Sequence, residues 1–113
     1  DLHLPRHVAV QMRGDELRPF VSRYCDNPEH IMMSRVKLTG DWRSWRGSAP
    51  VTVIQPQTPW EGAELPLVPS QRGAIHERVR QLRDPAVFEE EGRTYLLYSI
   101  AGESGLGIAE LLE

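Results

Sequence analysis

The chain has 113 residues, with 13 Lys+Arg against 16 Asp+Glu and a formal net charge of −3. It therefore lacks the clustered cationic excess that neutralises a phosphate backbone, which argues against nucleic-acid binding as its main task. No apolar run approaches the roughly 18 residues of a helical membrane span, so no membrane partner is expected. The single Cys25 can form neither an internal disulfide nor a zinc cluster of cysteines, and a chain without disulfides fits a reducing compartment such as the cytosol.

Nine glycines and nine prolines punctuate the sequence so often that a long amphipathic helix fits almost nowhere. Residues 8–12 form a short apolar run, Arg13-Gly14-Asp15 a turn, and residues 17–24 a second run, which together read as a hairpin. Pro19 lies inside that second run, where a residue with no N–H to donate belongs at an edge or a bulge. After the turn-forming Cys25-Asp26-Asn27-Pro28, residues 31–38 are expected as a third strand and residues 51–54 as a fourth, giving an antiparallel meander. The Pro-rich stretch 55–81 reads as a long loop, packed by Trp60, Leu65 and Leu67, of the length that in compact domains is usually functional or disordered. Within it Ile75, Val79 and Leu82 have helical spacing, which predicts a helix of about two turns. The second half then repeats the scheme of the first, with an entry strand from Asp84, a strongly β-prone strand over 94–100 and a last strand over 106–112.

The halves superpose at an offset of 77: His7-Val8-Ala9-Val10 falls on Asp84-Pro85-Ala86-Val87, and Phe20-Val21-Ser22 falls on Leu97-Tyr98-Ser99. A deletion of two residues in the following loop then sets Ile31 on Leu106. Repeated four-stranded units of roughly 40 to 50 residues are the signature of propeller blades. The expected fold is thus all-β, with antiparallel blades over 1–54 and 82–113 joined by loop 55–81. A chain that opens on Asp1 without an initiator Met reads as the C-terminal part of one larger, partial β-propeller domain, with the remaining blades upstream.

The segment Arg83-Asp84-Pro85-Ala86-Val87-Phe88, followed by Glu91-Gly92-Arg93-Thr94-Tyr95-Leu96-Leu97-Tyr98-Ser99, resembles a blade of the five-bladed propeller glycoside hydrolases, family 43 and the related invertase and levansucrase families. The resemblance implies a glycosidase acting on oligo- or polysaccharides through carboxylates gathered at the mouth of a central channel, with no cofactor. Asp84 matches the tuning or stabilising Asp by its Asp-Pro context, and Glu61-Gly62 resembles the Glu-Gly of the general acid, with Ala63 where proline is common. Trp60, Arg83, His7 and His76 are the candidate substrate-binding residues: Trp60 has a face for sugar stacking, Arg83 can hold a carboxylate ionised, and the two histidines are placed by motif position.

Glu61 precedes Asp84, whereas the acid of family 43 follows both of its aspartates, and His7 stands where a first-repeat carboxylate would be. A water-activating Asp would then lie upstream of residue 1. This leaves a second expectation from another class, a non-catalytic carbohydrate-binding or scaffold propeller with a degenerate site. His3 and His7 are four apart, but Pro5 between them opposes the helix that zinc-ligand spacing requires, so no metal site is expected.

Overall fold

The computed structural model describes residues 3–112 and is all-β with antiparallel pairing throughout. Strands β1 (Pro5–Arg13), β2 (Glu16–Arg23), β3 (Ile31–Met33) and β5 (Val51–Ile54) lie side by side in that order, and β4 (Val36–Lys37) pairs with the far end of β2. A second sheet contains β6 (Arg83–Glu90), β7 (Arg93–Ile100) and β8 (Gly105–Leu111) in sequence order. The two sheets fall on either side of the 55–82 connection, which contains a single 3-10 turn at Pro59–Glu61.

The expected third strand over 31–38 is in fact two short strands, and Pro19 supplies the reason. β3 pairs with Phe20 and Val21, β4 pairs with Glu16 and Leu17, and Pro19 faces the break between them. The residue without an N–H thus sits where no ladder donor is needed, while its carbonyl accepts from Ser34 N at 3.1 Å. The helix expected over Ile75 to Leu82 does not form. Backbone donors that a helix would satisfy internally are taken by distant segments: Val79 N donates to Ala101 O and Leu82 N to Glu29 O. Ile75 and Val79 are half-buried, and Leu82 is fully enclosed in the core.

The 77-residue offset is visible in the backbone. Arg6 pairs with Ser22 in the first sheet and Arg83 with Ser99 in the second, and each pairing is followed by a bulge. The bulged residues are His7 and Asp84, both in the left-handed region at φ 39° and 57°. Phe20↔Met33 and Val21↔Met32 put Ser22 opposite Ile31, as Ser99 stands opposite Leu106.

The sheets pack face to face around Phe20, Ile31, Leu82, Leu96 and Tyr98, each burial contributing roughly 1.5 to 3 kcal/mol for a large apolar side chain. Gly107 lets the Tyr98 ring lie flat on β8, since a Cβ there would come within 2.8 Å of the ring. At one end of the seam Gln11 Nε2 donates to Glu89 Oε2 at 2.8 Å and to Thr94 Oγ1 at 3.1 Å. At the other end stands Glu29, whose side chain has no exposed surface. Arg6 Nη2 donates to its Oε1 at 3.0 Å, Ser22 Oγ donates to its Oε2 at 2.6 Å, and Arg83 Nε lies 3.5 Å from Oε1. The two arginines, equivalent in the repeat, also share the Gly73 carbonyl at 3.2 and 3.1 Å.

One carboxylate therefore ties together both sheets and the connecting loop. Removing one partner of a buried ion pair leaves an uncompensated charge, so we predict that Glu29→Gln lowers the unfolding free energy by about 3 to 5 kcal/mol. Urea denaturation followed by circular dichroism measures this, and a loss under about 1 kcal/mol would contradict the role assigned to Glu29.

Candidate functional site

The two bulges converge. A β-bulge re-aims the side chain of its extra residue, and here both extra residues stand where β1 and β6 run beside each other. His7 Nε2 lies 3.6 Å from Asp84 Oδ1, and Ser99 Oγ donates to Asp84 Oδ2 at 2.9 Å. The carboxylate is thus fixed through one oxygen and directs the other toward the imidazole. The His7 side chain is 70% exposed and that of Asp84 33%, so the pair is open to a ligand. Non-glycine residues at positive φ carry backbone strain, which tends to persist where the side chain's direction matters.

The pair lines an open cleft of about 750 Å³ together with Arg6, Tyr24, Arg72 and Glu103. The guanidinium carbons of Arg6 and Arg72 both lie 5.5 Å from the centre of the Tyr24 ring. Arg6 is anchored below by Glu29 and by the Gln71 carbonyl, and Glu103 receives Arg83 Nη1 at 2.9 Å. The walls carry two arginines and two carboxylates, of which Arg6, Asp84 and Glu103 are held in place by the buried Glu29, Ser99 and Arg83.

The remaining expected site residues lie elsewhere or act differently. Arg83 is 1% exposed and faces inward to Glu29, Glu103 and Gln81, so it supports the cleft from beneath. Trp60 is half exposed and His76 is exposed, and neither is on the cleft wall.

Glu61 is 3% exposed, away from the cleft lining. Gln57 N and Thr58 N donate to its Oε1 at 2.9 and 3.2 Å, and Tyr98 OH donates to its Oε2 at 2.8 Å. The following Gly62, at φ 98°, lets the loop approach so closely that a Cβ would meet the Val79 carbonyl at 2.8 Å. The Glu-Gly pair is thus a clasp that closes the Pro-rich loop on the second sheet, and the expected pairing of Glu61 with Asp84 across one cleft is not what the structure shows. Sequence reasoning passed over Glu103, Arg72 and Tyr24; the only signal for Glu103 was its place in the Gly-rich turn after β7. His3 is engaged by Asp26 and His7 by Asp84, so the two histidines serve different partners.

Burial and the adjacent Glu61 carboxylate push the Tyr98 phenol well above the ordinary tyrosine range. A raised folded-state pKa contributes stability that is fully present below about pH 10, the unfolded value, and is lost as pH rises beyond it. We predict a phenolate absorbance component that appears only as the protein unfolds in alkali and that Tyr98→Phe removes. Full phenol ionisation in the folded protein near pH 11 would contradict this.

A protein of Acanthamoeba polyphaga mimivirus described as uncharacterized is 42% identical to this chain over 109 residues, covering 96% of the chain and 31% of the viral protein. The chain thus spans about a third of that relative's length. No family model and no solved structure matches the chain. The resemblance to the five-bladed family 43 propellers is corrected accordingly: the likeness found is to an uncharacterized viral protein, and the described residues form two sheets without closing a ring. The Arg-Asp-Pro segment that suggested the family has its own local reason here, a buried ion-pairing arginine followed by a bulged aspartate.

Proposed function

We propose that the chain is a pair of blade-like repeat units presenting a carbohydrate-binding cleft at their seam, with Asp84 and His7 as the groups that grip the ligand. The observation that carries this reading is the convergence of two repeat-equivalent, strained bulges on one open cleft, where His7 Nε2 lies 3.6 Å from Asp84 Oδ1. Cations and carboxylates are balanced along the wall, and Arg6 is committed to Glu29. Such a lining suits neutral, hydroxyl-rich ligands better than a strongly charged one, because each sugar hydroxyl both donates and accepts. Asp84 Oδ1 would accept from one hydroxyl, and His7 and Arg72 would serve its neighbours. The cleft volume of about 750 Å³ falls within the range of roughly 300 to 1,000 Å³ typical of small-molecule sites.

The test is a titration of the protein with a panel of neutral oligosaccharides by calorimetry and by NMR shift mapping. Binding is expected to perturb His7, Asp84 and Arg72. A hydrogen bond to a charged group contributes about 1.5 to 3 kcal/mol, so Asp84→Asn should weaken binding by roughly 10- to 150-fold. Asn tolerates the left-handed backbone and can still accept from Ser99, so the melting temperature should stay close to that of the parent. Absence of shifts around the cleft at millimolar sugar, or unchanged affinity in Asp84→Asn, would overturn the reading.

A further inference from the structure

The repeat makes a comparison possible between positions that are equivalent in sequence and unequal in surroundings. On the first sheet the face turned toward the second carries Ala9, Gln11, Arg18, Phe20 and Ile31. Their equivalents on the second sheet, Ala86, Phe88, Tyr95, Leu97 and Leu106, lie on the face turned away from the first. Ile31 is completely buried, whereas Leu106 is 77% exposed. The opposite faces show the reverse. Pro85, Val87, Thr94, Leu96 and Tyr98 of the second sheet are buried or half-buried against the first. Their equivalents on the first sheet's outer face are Val8, Val10, Leu17, Pro19 and Val21, of which Val8 is 60% and Val10 49% exposed.

The internal interface therefore joins the leading face of one unit to the trailing face of the next. Each sheet leaves an exposed apolar patch on the other kind of face, with Met12 beside Val8 and Val10 on one and Ile108 beside Phe88 and Leu106 on the other, while Met32 of the first face is buried and Glu110 borders the second. An isolated apolar residue on a surface needs no explanation, but a contiguous apolar face marks an interaction site. The internal seam shows what fits such a face, namely the opposite face of the same repeat.

We infer that the free trailing face around Val10 and the free leading face around Ile108 are the two halves of a head-to-tail interface between copies of this chain. The occupant is a second copy, because its second sheet offers to Val10 the same kind of face that the first sheet offers to Val87 within one chain. Such a contact is heterologous: it leaves one open face at each end of a pair and propagates to a ring or a short filament.

Analytical ultracentrifugation of the 113-residue chain tests this, with circular dichroism confirming the fold of each variant. The parent is expected to show mass that grows with concentration in the submillimolar range. Val10→Asp and Ile108→Asp should each be monomeric alone, yet an equimolar mixture should form a 1:1 heterodimer, since each retains the face the other lacks. Met12→Lys and Leu106→Lys replace them if either variant unfolds. A strictly monomeric parent, a single variant that still self-associates, or a mixture that does not pair would each overturn the inference. A symmetric dimer through one face alone is the outcome a persistent single-variant dimer would reveal.

Discussion

A carboxylate with no exposed surface, Glu29, lies between two guanidinium groups that occupy the same position in two consecutive sheets. Burying an ion is costly, and the cost is offset only by close opposite charge together with further hydrogen bonds to the remaining lone pairs and donors. Here Glu29 accepts from Arg6 and Ser22, while Arg83 reaches onward to Gln81, Glu103 and the Gly73 carbonyl. The relative position of the sheets, the path of the loop through Gly73 and the anchorage of Glu103 all follow from satisfying that one charge. Hydrophobic packing of Phe20, Ile31, Leu96 and Tyr98 supplies attraction between the sheets. It is non-directional, and the ion pairs add what it lacks, a preference for one register.

The cleft inherits its order from this buried layer. Arg6 and Arg83 stand one residue before His7 and Asp84, so fixing the guanidinium groups fixes the two bulges that follow. The exposed pair can then remain 3.6 Å apart on a strained backbone, because the strain is held by a rigid neighbour on the chain. A site built this way reacts to mutation at two depths. Under the proposed reading, changes at His7 or Asp84 act on ligand binding alone, and changes at Arg6, Glu29 or Arg83 act on the fold first and on binding through it.

Much of the framework is legible in the sequence. The hairpins follow from alternating apolar runs and their turns, and the repeat offset of 77 places Arg6 on Arg83, Ser22 on Ser99 and Ile31 on Leu106, as the strand registers do. What escapes is whatever depends on partners far along the chain. Glu29 follows a Pro-containing turn and looks like a solvated loop residue until the arginines arrive from 23 residues before and 54 after. Ile75, Val79 and Leu82 have helical spacing, yet the backbone donors of Val79 and Leu82 are claimed by Ala101 and Glu29, which no local window contains. Glu61 looks like a loop acid, and only the fold brings Tyr98 to it. The family resemblance went astray for a related reason: in the Arg-Asp-Pro segment the arginine answers a carboxylate 54 residues away and the aspartate fills a bulge, both needs of this sheet pair.

The most direct measure of the central claim is a double-mutant cycle at the two arginines, with Arg6→Met, Arg83→Met and the double variant compared by urea denaturation. If one buried carboxylate serves both, the first removal changes what the second is worth, and the losses should deviate from additivity by about 1 kcal/mol or more. Additivity within about 0.5 kcal/mol would mean that the two guanidinium groups act independently, and that Glu29 is not the link between the sheets.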